Sequence, residues 1–134
     1  MKLITRDTDY AVRALCFIAR RRKGLTSASE LVTALKIPRS FLRKILQILN
    51  KEGMLSSYKG RGGGFKLVRP PKKVFLLDLV GIFQGSFKIN ECLFRKAPCP
   101  DVKRCILKKR IDNIQQYAIS ELKTITLASL LKGG

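Results

Sequence analysis

At 134 residues the chain is long enough for one compact domain, or for a small domain with an appended element. An apolar fraction of 46% is ordinary for a globular protein and argues against wholesale disorder. The charge is not ordinary: 28 Lys and Arg against 9 Asp and Glu give a formal +19. Such a chain repels itself unless a polyanion offsets it, so nucleic acid is the first partner to expect and an anionic membrane surface the second.

The membrane is the weaker expectation, because no apolar run approaches the roughly 18 residues that span a bilayer. Charges are scattered through the opening MKLITRDTDYAVRAL, where a signal peptide needs an unbroken apolar stretch. A cytoplasmic protein is therefore expected. In that compartment thiols stay reduced, and clustered cysteines serve as metal ligands or redox centres more often than as disulfides. The chain has no histidine.

From Asp7 to about Arg22, Tyr10, Ala11, Ala14, Leu15 and Ile18 recur at helical spacing and predict an amphipathic helix. Cys16 falls among its apolar neighbours and reads as a small buried hydrophobe. Thr26 and Ser27 are N-cap candidates, and Glu30 completes a capping box with Ser27 at the start of a short helix through Leu35. Pro38 suits the start of the next helix, in which Leu42, Ile45, Leu46 and Leu49 form an apolar stripe ending near Gly53. Two short helices joined by a tight turn form a helix-turn-helix candidate.

Opposite that stripe lie Arg39, Ser40, Arg43, Lys44 and Gln47, side chains of the kind that reach phosphates and base edges in a major groove. A solvated basic face explains them equally well until the next stretch is read. MLSSY, KGRGGG and FKLVR predict strand, glycine-rich turn and strand, with Lys59 and Arg61 at the tip. A basic hairpin directly after a helix-turn-helix is a wing. Beyond Pro70 and Pro71 a short helix is expected over LLDLVGIFQG. After residues 86–105, Leu107, Ile111, Ile114, Ala118 and Leu122 alternate in steps of three and four, a narrow seam suited to a partner helix. Thr126 is positioned to cap a last short helix.

The expected fold is mainly α. A winged helix-turn-helix domain occupies residues 1–85, with the helix-turn-helix at about 26–53 and the wing at about 54–69. A cysteine-bearing segment follows at 86–105, then a long dimerisation helix and a terminal helix at 106–134. In the middle segment Cys92, Cys99 and Cys105 are wider apart than the CxxC knuckles usual for zinc. Wider spacing and neighbouring Lys and Arg suit an iron–sulfur cluster, while zinc and free thiols stay open. No fourth ligand is evident in that segment.

Taken in order, TDYAVRAL, IPRSFLRKILQILNKEGMLSSYKGRGGGF, the three spaced cysteines and ITLASLL resemble the bacterial winged-helix regulators typified by IscR and NsrR. The resemblance covers almost the whole chain. It implies a homodimer on a partly palindromic double-stranded operator, the long helix as dimer interface, and a cluster whose state controls DNA binding. It makes Cys92, Cys99 and Cys105 the ligands. It also assigns DNA reading to the neighbourhood of Ser40, Phe41 and Arg43, with Lys59 and Arg61 in the wing.

One branch completes a 2Fe–2S site with a histidine where this chain has Lys108. The other completes a 4Fe–4S site with a first-helix aspartate from the partner protomer, matched here by Asp9. A 4Fe–4S cluster is thus favoured over 2Fe–2S. The first cysteine gap is one residue longer than in either branch. The rival expectations are the same DNA-binding fold sensing through zinc or free thiols, and an iron–sulfur electron-transfer protein, which needs neither wing nor excess charge. No enzymatic activity and no small-molecule substrate are expected, since no nucleophile or carboxylate has a base beside it.

Overall fold

The computed structural model describes residues 3–21, 24–85 and 106–132. The first helix, α1 (Arg6–Arg20), begins where Thr5 turns its hydroxyl back to accept from the Thr8 N–H. Its Ala11, Ala14, Leu15 and Ile18 are buried. This helix is the hub of the domain: the next three α-helices, the second strand of the hairpin and the last short helix all pack against it.

The helix α2 (Ala28–Leu35) opens on the expected capping box: Glu30 N–H donates to Ser27 Oγ at 3.1 Å, and Ser27 N–H returns to the Glu30 carboxylate at 3.4 Å. Thr26 is not the cap. It is a strand-like residue whose backbone pairs with the wing. Lys36 ends the helix in the left-handed conformation, and α3 (Arg39–Lys51) starts at Pro38. Leu42, Ile45, Leu46 and Leu49 fill the core beneath it. Each such leucine contributes on the order of 2 kcal/mol of burial, which holds the helix in place and leaves its other face in water.

Strands β1 (Leu55–Tyr58) and β2 (Gly64–Leu67) pair antiparallel, with Leu55 opposite Leu67 and Tyr58 opposite Gly64. Glycine is required at the end of the turn between them and at the first residue of β2. A Cβ on Gly63 would lie 2.3 Å from the Tyr58 carbonyl oxygen, and one on Gly64 2.5 Å from that of Thr26. A 3₁₀ turn (Pro71–Lys73) leads to α4 (Leu76–Gln84), which Gly85 terminates.

The long helix α5 (Ile106–Thr124) and α6 (Leu127–Lys132) complete the described chain. Here one expectation changes. Leu122, anticipated in an intermolecular seam, is 6% exposed and buried within its own chain. The cause is the junction after it. Leu76 N–H donates to the Ile125 carbonyl and Leu127 N–H to the Val74 carbonyl, pulling this end of α5 onto the winged domain and Leu127 into its core. Ile106, Leu107, Ile114 and Tyr117, further from that junction, remain exposed.

Candidate nucleic-acid interface

The outer face of α3 carries Arg39, Ser40, Phe41, Arg43, Lys44 and Gln47, all exposed. Its start is electrostatically unusual. The first turn has no acidic residue, and no side chain caps it. A helix N-terminus already carries partial positive charge from its free N–H groups, and Arg39, Arg43 and Lys44 add to it. An anion is the natural complement to such an end. Arg39 also reaches back 3.3 Å to the Ser29 hydroxyl, bridging the two helices of the motif.

Lys59 and Arg61 are exposed in the turn of the hairpin. Acidic side chains among the described residues pair with cations elsewhere: Asp9 with Arg13, Glu30 with Arg21 and Asp112 with Lys108. Among the described residues, Arg43, Lys44, Lys59 and Arg61 have no carboxylate partner. The wing is fastened to the motif by Thr26 and Phe65, which exchange both backbone hydrogen bonds.

Two residues not singled out from sequence lie beside this surface. The Arg6 guanidinium stands 4.3 Å from the centroid of the Phe41 ring, joining the start of α1 to the first turn of α3. Gln84, at the end of α4, holds the same start of α1. Its Oε1 accepts from Thr8 Oγ1 at 2.7 Å and from Thr5 N–H at 2.9 Å, and its Nε2 donates to the Leu3 carbonyl at 3.3 Å. A glutamine before a glycine at a helix end was the only sequence signal for Gln84. Arg6 had none, because its partner is distant in the chain.

Cys92, Cys99 and Cys105 lie outside the described residues. Asp9 is described, in the first turn of α1, with its Oδ2 accepting from Arg13 Nε at 2.8 Å. Both side chains are about half exposed, so this i,i+4 pair is worth roughly 0.3–0.5 kcal/mol and is easily exchanged for another partner. Lys108 pairs with Asp112 at 2.7 Å. Cys16 is half-buried, and burial pushes its thiol upward despite the nearby Arg20, as suits a packing residue rather than a thiolate. Among the described residues no group of three metal-binding side chains is assembled. None of the described helices is long and apolar enough to cross a membrane.

A family model described as an iron-dependent transcriptional regulator matches residues 4–133. The chain belongs to that family, Rrf2. It is accordingly a helix-turn-helix transcriptional regulator and not an enzyme. An HTH-type transcriptional regulator of Aquifex aeolicus (strain VF5) is 31% identical over 132 residues, spanning 96% of this chain and 92% of that protein. Protein aau3 of Rhizobium meliloti (strain 1021) is 32% identical over 130 residues, spanning 96% of this chain and 84% of that one.

Among solved structures, CymR (YrzC), the global cysteine regulator of B. subtilis, matches with a TM-score of 0.81 at 21% identity, covering 100% of this chain and 99% of that one. T. potens IscR matches at 0.70 and 23% identity, covering 99% and 88%. At those identities the likeness carries the Rrf2 winged-helix fold and nothing finer.

Proposed function

We propose that this Rrf2 regulator is a cytoplasmic homodimer that reads a partly palindromic DNA operator, with its affinity governed by an iron–sulfur cluster. The observation that carries the DNA reading is the exposed face of α3, where Arg39, Arg43 and Lys44 surround an uncapped helix start that has no acidic residue in its first turn. Ser40, Phe41, Arg43 and Gln47 then face base edges, while Lys59 and Arg61 of the wing meet the backbone. Dimerisation is supported by the exposed apolar residues of α5, among them Leu107 at 69% and Ile114 at 54% exposure. Ile111 and Ala118 are partly exposed on the same helix and complete the seam.

Cys92, Cys99 and Cys105 hold the cluster as thiolates, and Asp9 of the partner protomer completes the ligand set. Asp9 suits that role chemically: it is anionic and accessible, and Arg13 engages only one of its two oxygens. When bound, such a cluster supplies an iron centre open to oxidation, nitrosylation or loss. Ligation drawn from both protomers ties them together, so losing it alters the separation of the two α3 helices. Half-sites lie about 34 Å apart, so a small change in that separation spoils the register on an operator. The test is protein purified without oxygen, with iron and sulfide counted and bound genomic fragments selected. A brown protein retaining particular fragments is expected. A colourless protein that also rejects reconstitution would exclude the cluster.

A further inference from the structure

Arg6 lies outside both the reader face and the wing, yet it is fixed against the reader helix. Its guanidinium carbon lies over the Phe41 ring, and among the described residues no carboxylate engages it. A cation–π contact with the ring occupies few of the five guanidinium N–H donors and leaves the others for an oxyanion. As the first residue of α1 it is also a cation where the helix dipole disfavours one. The first-turn acids do not neutralise it: Asp9 is taken by Arg13, and Asp7 projects about 100° further round the helix.

The start of α1 is held firmly. Gln84 engages Leu3, Thr5 and Thr8 together, and Thr8 is completely buried. An unpaired arginine on an anchored helix end, laid against the first turn of a DNA-reading helix, is a preorganised donor for a backbone phosphate. We infer that Arg6 is a third element of the DNA interface, contacting a phosphate beside the segment read by α3, and that Gln84 is the residue that positions it. The inference rests on the proposal that α3 is the reader.

The experiment measures affinity of the full chain for a random duplex and for a selected operator across a range of salt. Each phosphate neutralised contributes about 0.9 to the slope of log K against log salt. Arg6→Gln keeps a stem to pack on Phe41 but removes the charge. It is expected to make the slope shallower by about 0.9 for each protomer bound, on both DNAs, while Arg6→Lys keeps the wild-type slope. Gln84→Leu is expected to make the slope shallower as well, but to add nothing in the Arg6→Gln background.

A slope unchanged in Arg6→Gln overturns the inference, because a residue that merely props Phe41 changes affinity without changing counterion release. Arg43→Ala is run alongside. If it loses discrimination between operator and random DNA while Arg6→Gln keeps the wild-type slope, the inference about Arg6 alone fails. If Arg43→Ala keeps full discrimination, the reader assignment fails and takes this inference with it.

Discussion

Phe65 N–H donates to the Thr26 carbonyl at 2.8 Å and Thr26 N–H returns to the Phe65 carbonyl at 3.1 Å, so the wing is hydrogen-bonded to the residue just before the N-cap of α2. The pairing brings the Thr26 carbonyl so close to Gly64 that no side chain fits between them. Gly64→Ala must push the two segments apart. A loss of about 1–3 kcal/mol in denaturant unfolding is expected, the range of overpacking in a well-packed site. Amide exchange at Phe65 should quicken in this variant while that of Leu46 in α3 follows only the global loss.

The proposed base reading and backbone contact are separable. Arg43→Ala is expected to weaken binding to the selected operator by about 1–3 kcal/mol and to leave random DNA little affected. Arg61→Ala is expected to weaken both alike and to flatten the salt dependence. Fluorescence anisotropy on the two duplexes checks this, and equal losses for Arg43→Ala would remove it from the specificity residues.

The exposed part of α5 makes a prediction about assembly. Ile114→Glu sets an unpaired charge in the proposed seam, at an expected cost of about 3–5 kcal/mol to association. Sedimentation should find a monomer, circular dichroism a folded winged domain, and DNA titration no operator preference. Leu122→Ala should behave differently. Because Leu122 is buried within the chain, its truncation is expected to cost about 2–5 kcal/mol of folding stability instead.

The pair between Arg21 and Glu30 carries a pH signature. Hydrogen bonding from Arg21 is the main reason the Glu30 carboxyl lies below its ordinary 4.5, with further help from Ser27. A carboxyl lowered by folding contributes stability above its unfolded value and loses it as pH falls through the folded one. Gln retains the capping geometry without the charge. The melting temperature of Glu30→Gln should therefore lie below that of the wild type near neutrality, and the difference should close in acid below about pH 4.5.

What could be read from sequence was local. The span of α1 was expected from Asp7 to about Arg22 and is Arg6–Arg20. Ser27 and Glu30 cap α2 three residues apart, and Pro38 and Gly53 bracket α3, because these signals act within one helical turn. Relationships between distant residues left no periodic trace. Gln84 binds Thr8 across 76 positions, and Arg6 finds Phe41 only once α1 and α3 pack together. Leu122 fitted a seam by its spacing, but the hydrogen bonds linking Val74 and Leu76 to the residues after it decide which way it faces.

The proposed ligand from the partner protomer is open to a genetic test. Asp9→Ala in one chain and Cys99→Ala in the other leave one site intact if Asp9 acts across the interface. Both sites are damaged if it acts within its own chain. Purified heterodimers should hold a cluster of normal spectrum at half occupancy. An unaltered cluster in the Asp9→Ala homodimer would instead remove Asp9 from the ligand set.

The proposed sensing and the proposed DNA reading meet in one titration. A single preparation is assayed for operator affinity without oxygen while iron and sulfide are intact, and again after both have been stripped by chelation. A change of at least about tenfold, or roughly 1.4 kcal/mol of coupling, is expected on the operator, with little change on random DNA. Equal operator affinity before and after stripping, with the dimer intact, would contradict control of DNA binding by the cluster.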